Sequence, residues 1–216
     1  VIGTHSLLSN KILFRNLCLV IIDEEQRFGV TQKERLKNLI VNSHILTLTA
    51  TPIPRTLYMA LSGIRDLSII ASAPQERLPV RSFVTPFNNF NVKEGINREL
   101  HRNGQVYFIV PRIRDIKNLH DKIAMLIDGA SISFVHGRMT PKEIENTMMS
   151  FYEGSCNILI ATSIIENGLD IPNANTIFIY NADMFGLGQL YQLKGRVGRA
   201  NKRAYAYYLL SDNRKM

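Results

Sequence analysis

Short apolar runs recur along the chain at Leu17 to Ile22, Ile45 to Leu48, Val106 to Val110, Ile158 to Ala161 and Thr176 to Tyr180, separated by amphipathic stretches of helical period. Continuous apolar runs of this length read as strands buried on both faces, and strands that alternate with helices are joined in parallel through crossovers. The pattern therefore predicts an α/β fold, with parallel sheets carrying helices on both faces.

The helix signals have local causes. Thr140-Pro141-Lys142-Glu143 supplies an N-cap, a proline where no intrahelical N–H is needed and a capping-box glutamate, ahead of an apolar stripe of Ile144, Met148 and Phe151. Asn91 to Glu94 repeats the cap pattern before Val92, Ile96 and Leu100, and Ile116, Leu119, Ile123 and Leu126 mark a further helix. Between about Ala71 and Pro86 the text turns polar and proline-bearing with no helical stripe, which predicts a domain boundary there. The part after it has enough strand and helix alternations for a complete α/β lobe. The part before it has only a few strands and leaves sheet edges open. The chain begins on Val1, within what reads as a strand, so the expectation is an internal piece of a longer protein.

A formal charge of +8 and a pI near 9.6 favour a polyanionic partner, since basic grooves gain affinity by releasing counterions from nucleic acid. Lipid or acidic protein also fits that charge. Cys18 and Cys156 sit in apolar runs without metal-ligand spacing, which predicts buried thiols in a reducing compartment. No apolar stretch reaches the roughly 20 residues of a membrane helix and no leader opens the chain, so a cytoplasmic protein without a membrane partner is expected.

Several polar clusters fall at the ends of the expected strands. Asp23 and Glu24 follow the run at Leu19 to Ile22, where open α/β sheets bind ligands: Asp23 is suited to hold Mg²⁺ through water and Glu24 to orient or deprotonate an attacking water. The same residues also read as a solvated acidic turn. Thr49 and Thr51 follow a second strand, either coupling nucleotide state to a bound strand or serving as turn chemistry. Thr162, with Gly168 and Asp170 further on, could touch sugar-phosphate and nucleotide ribose or form a plain strand-to-loop junction. Thr4, His5, His136 and Gly137 lie beside expected strand ends, where small residues and imidazoles can meet a DNA backbone or be structural. Gln192, Arg196 and Arg199 lie on or beside a helix beginning near Gly186. Arginine suits bidentate contact with phosphate, and Gly195 and Gly198 between these residues read as room for a ligand. No G-x-x-x-x-G-K-[ST] phosphate loop is present.

In this order the clusters resemble the superfamily 2 helicases and translocases: Asp23-Glu24-Glu25-Gln26 is similar to Walker B, Thr49-Ala50-Thr51 to motif III, Thr162 to Pro172 to motif V, and Gln192 to Arg199 to motif VI. Asp-Glu-Glu-Gln-Arg-Phe-Gly at 23 to 29, Leu48 to Leu57, Ser62 to Ile70 and Ala182 to Arg199 narrow the likeness to the bacterial transcription-repair coupling factor family, with the RecG-like fork-remodelling helicases as its neighbour. A non-catalytic nucleic-acid-binding module is the alternative from another class. The resemblance implies two RecA-like lobes, residues 1–75 being the back of the first (motifs Ib, II and III) and residues 76–216 a near-complete second (motifs IV, V and VI). It implies ATP and Mg²⁺ as cofactors, and catalytic roles for Asp23, Glu24, Arg196 and Arg199. Gln192, Gly168, Asp170, Thr49 and Thr51 would bind or sense ATP, and Thr4, His5, His136, Gly137 and Thr162 would bind DNA. The implied partners are double-stranded DNA and, through domains outside this chain, RNA polymerase and excision-repair proteins. Without a phosphate loop, residues 1–216 are expected to show no DNA-stimulated ATPase alone.

Overall fold

The computed structural model describes residues 1–9, 12–24, 28–39, 43–49, 66–70, 72, 78–163, 171–199 and 202–211. The chain divides into two compact units, Val1–Ala71 and Ser72–Met216.

In the first unit β1 (Leu19–Asp23) and β2 (His44–Leu48) pair in parallel, with Leu19 opposite His44 and Asp23 opposite Leu48. The crossover between them contains α1 (Val30–Leu39). Ladder bonds extend the pair at both ends, from His44 N–H to the Cys18 carbonyl at 2.8 Å and from Glu24 N–H to the Leu48 carbonyl at 3.0 Å. Ile22 and Leu36 are buried, whereas Leu19, Ile21, Ile45, Leu46 and Leu48 stay exposed. That incomplete cover corrects one expectation: Cys18, just before β1, is exposed, while Cys156 is buried in the second unit. Val1 lies in no strand; it precedes a 3-10 turn at His5–Leu8 capped by Thr4.

The second unit is built on a six-stranded parallel sheet in the order β3-β8-β7-β4-β6-β5. The strands are β3 (Arg81–Pro86), β4 (Gln105–Ile109), β5 (Ile132–Val135), β6 (Ile158–Ala161), β7 (Ala174–Tyr180) and β8 (Tyr205–Leu210). On one face α2 (Asn89–Leu100) and α3 (Arg114–Leu126) pack Val92, Ile96, Ile116, Leu119 and Ile123 against Val106, Phe108 and Phe178. On the other, α4 (Pro141–Tyr152) and α5 (Leu187–Lys194) bring Met148, Phe151 and Leu193 onto Tyr107, Leu159 and Ile177. β4 and β6 are buried along their whole length, as their text, apolar apart from Gln105, requires.

Four rings cross this sheet in register. Phe83 on β3 stacks on Tyr207 on β8 (centroids 5.1 Å apart), Tyr207 on Phe178 on β7 (4.6 Å), and Phe178 on Phe108 on β4 (4.6 Å). Each such aromatic pair adds about 0.5–1.5 kcal/mol beyond its burial. α2 lies close on the ladder because Gly95 has no side chain; a Cβ there would stand 2.7 Å from Phe178 Cζ.

Two sequence expectations are corrected here. Arg81–Pro86, read as part of a polar break, is a strand. It lies at the sheet edge with most of its residues exposed, so its text never becomes continuously apolar, and Pro86 ends it where a missing N–H costs little. The cap of α2 is Asn88, whose Oδ1 accepts from Phe90 N–H at 2.8 Å, and Asn91 lies inside the first turn. The expected box at α4 is present, with Thr140 and Glu143 bonded reciprocally. No helix among the described residues is long and apolar enough to cross a membrane.

Candidate nucleotide and nucleic-acid site

In the first unit Asp23 is the last residue of β1 and is exposed at the carboxyl edge of the pair. Glu24 follows with φ +53°, a left-handed conformation uncommon outside glycine, held by the bond from its N–H to Leu48. Because Asp23 stands opposite Leu48, Glu24 and Thr49 leave adjacent strand ends together. A left-handed non-glycine residue costs of the order of 1–3 kcal/mol and marks a backbone held by its surroundings. Thr4 and His5 are not at a strand end as expected. They are exposed in the 3-10 turn, where the Thr4 hydroxyl donates to Ser6 Oγ at 3.1 Å and accepts from Ser6 N–H at 3.4 Å. Thr51 lies outside the described residues.

In the second unit two groups form. His136 and Gly137 follow β5, and Thr162 follows β6; the bond from Thr162 N–H to the Val135 carbonyl at 3.3 Å adds one rung to the β5–β6 ladder and sets the three side by side at the carboxyl edge. The half-buried His136 ring stacks on Phe134 with centroids 6.1 Å apart, and its Nδ1 is buried without a partner among the described residues. Around Gly137 the space is open. Gly168 and Asp170, expected to join this group, lie outside the described residues.

The other group lies on the connection from β7 to β8. Gln192 is half-buried on α5, which starts after Gly186 as expected. Arg196 N–H donates to the Leu193 carbonyl at 3.0 Å, and Arg199 Nε to the Gly195 carbonyl at 3.2 Å. Guanidinium groups beyond a helix C-terminus are favoured by its dipole. Gly198 has a reason that the sequence did not show. Its φ is +74°, and a Cβ on it would stand 3.0 Å from both Val80 Cγ2 and Ala204 Cβ, so backbone shape and packing require the glycine without any ligand.

Sequence reasoning also passed over Asp183, whose carboxylate accepts from Ser211 N–H at 3.0 Å and from its hydroxyl at 2.9 Å, clasping the turn after β7 to the end of β8. Its one signal was an acidic residue shortly after a strand end.

A covered parallel sheet with polar groups on its carboxyl edge and an arginine pair after its last crossover helix has the form of a helicase lobe, and residues 91–201, just over half of the chain, match the helicase conserved C-terminal domain; the chain belongs to that family. Over 96% of its length it is 54% identical to the transcription-repair-coupling factor of Bacillus subtilis (strain 168), and over 99% it is 50% identical to that of Staphylococcus haemolyticus (strain JCSC1435). It spans 18% of the length of each. RecG bound to a three-way DNA junction aligns with 99% of this chain and 28% of its own at 35% identity, with a TM-score of 0.72. Saccharomyces cerevisiae Dbp5 bound to RNA and ADP BeF3 aligns with 97% of this chain and 57% of its own at 17% identity and a TM-score of 0.69, a likeness of fold alone. The α/β class expected from the sequence, with RecA-like parallel sheets, is the class observed.

Proposed function

We propose that this chain is part of the motor of an ATP-driven double-stranded DNA translocase that, in the complete protein, displaces stalled RNA polymerase and couples transcription to nucleotide-excision repair. The carrying observation is the identity to transcription-repair-coupling factors over nearly the whole chain, which exceeds the identity to RecG. In this reading residues 1–75 are the end of a first RecA-like lobe and residues 76–216 the second.

Each side chain then has a task. A carboxylate is the hard oxygen ligand that Mg²⁺ takes, and Asp23, exposed at a strand end, fits that role with water between. The ion supplies charge neutralisation on the phosphates. Glu24, fixed by its bond to Leu48, orients the attacking water and draws its proton toward the carboxylate. Arg196 and Arg199 stabilise charge on the transferred phosphoryl group. Gln192, Thr49, Thr51, Gly168 and Asp170 bind or sense ATP, while Thr4, His5, His136, Gly137 and Thr162 contact the DNA backbone.

The test is to fuse the segment that precedes the matching region in the Bacillus subtilis relative onto Val1 and measure turnover. The fusion should gain ATPase activity stimulated by duplex DNA, and Arg199→Ala should reduce it by about 10³-fold or more. Glu24→Gln should abolish it. A fusion that binds duplex DNA but never turns over ATP would establish the non-catalytic binding module instead.

A further inference from the structure

The turn from Arg196 to Arg199 is closed from behind. Val197 is fully buried in the core, and Gly198, between it and Arg199, takes a left-handed conformation. The space where a Gly198 side chain would go is filled by Val80 and Ala204, with the Leu78 carbonyl oxygen 3.9 Å from the same point. Val80 is half-buried against the core that contains Val197. One residue later, Arg81 N–H donates to the Ala204 carbonyl at 2.9 Å, so the entry into β3 and the far end of the arginine-bearing connection are joined by both packing and a hydrogen bond. The division between the two units falls at Ala71 and Ser72, a few residues upstream.

We propose that Val80 is a positioning residue for the phosphate-binding arginines: the segment that receives the chain from the first unit is the wall that fixes the Arg196–Arg199 turn. This rests on the reading of Arg196 and Arg199 given above. A left-handed glycine has the widest conformational freedom of any residue, so a turn centred on one holds its shape only when neighbours confine it. Hydrogen bonds to the Leu193 and Gly195 carbonyls fix the ends of the turn, and Val80 and Ala204 confine Gly198 itself. Ala204 is a single methyl in a buried position, which leaves Val80 as the side chain with enough bulk to set the gap. Truncating it frees the turn and leaves both guanidinium groups chemically intact. The placement of the arginines is thereby tied to the entry into β3.

The experiment uses the 216-residue chain and inorganic tripolyphosphate, followed by calorimetric titration and by the Nε–H resonances of the arginines. Val80→Ala should weaken binding about fivefold, equivalent to about 1 kcal/mol, and move the Arg199 Nε resonance. Val80→Thr keeps the branched shape against Gly198; it should lower the thermal midpoint, because a hydroxyl is half-buried, yet hold affinity within about twofold. Arg199→Ala should lose binding. If Val80→Ala binds as the native chain does while Arg199→Ala loses binding, the positioning role is overturned and the arginine site stands. Loss of affinity in Val80→Thr in step with its stability overturns the role as well, since packing alone would then account for it. If Arg199→Ala binds like the native chain, or the native chain binds no tripolyphosphate, the phosphate reading falls and this inference with it.

Discussion

Arg102 grips Glu99 from three residues away at the end of α2, with Nε 3.0 Å from one carboxylate oxygen and Nη2 2.5 Å from the other. Glu99 is 1% exposed, and the Thr176 hydroxyl donates to the same carboxylate from β7. Removing one partner of a buried pair costs more than the pair contributes, because a charge is left in a poor solvent. Arg102 keeps 28% of its side-chain exposure, so water partly compensates, and Arg102→Met should cost about 2–3 kcal/mol, below the usual 3–5 for a fully buried pair. Urea unfolding midpoints measure this. A loss under about 0.5 kcal/mol, the ordinary surface range, would mean that the carboxylate is satisfied without Arg102.

Gln105 begins β4 with its amide nitrogen donating to the Phe151 and Cys156 carbonyls, the latter at 2.8 Å. Both acceptors flank the turn out of α4. Gln105→Met preserves length and volume but leaves the Cys156 carbonyl without that donor, at about 1–3 kcal/mol, whereas the Phe151 carbonyl still accepts from Gly154 N–H at 3.2 Å. Chemical denaturation should show a loss of roughly 1–3 kcal/mol. Amide exchange should accelerate first in residues 151–157.

Glu143 accepts from the Thr140 hydroxyl at 2.8 Å and from the Thr140 N–H at 2.7 Å. These bonds, the hydroxyl first, hold its carboxyl below the ordinary value of 4.5, with a smaller contribution from His136. A depressed native value means that the box stabilises fully above the unfolded value and fades as pH falls through the native one. Midpoints measured on the acid side of pH 4.5 should decline more steeply in the native chain than in Glu143→Gln. Parallel acid limbs would exclude Glu143 as a contributor to acid sensitivity.

Much of the second unit was legible because its signals are local. Ile158–Ala161 is a strand with the limits its apolar text gives, and the cap at Thr140 is specified within four residues. The α2 cap was misplaced because Asn88 and Asn91 both precede apolar positions, and the backbone chooses between them. β3 was missed since edge strands lack the double-sided burial that makes a strand readable. Gly198 was misread for a largely non-local reason: besides Ala204 Cβ, the atom that forbids a side chain belongs to Val80, more than a hundred positions earlier in the chain. On the site side, the ends of β1, β2, β5 and β6 could be located from sequence, whereas the strand end expected beside Thr4 and His5 is a 3-10 turn. The left-handed backbone of Glu24 and the side-by-side placement of Thr162 and His136 depend on strand register, which short apolar runs do not encode.

β3, the earliest strand among the described residues of the second unit, finds its partner in β8, the latest, and every residue of Arg81–Pro86 is matched to one of Tyr205–Leu210. During synthesis the ribosome must therefore deliver Tyr207 before Phe83 can take its place in the stack. Until then the nascent unit carries an unpaired strand and a bare aromatic ring, the condition in which newly made chains adhere to one another.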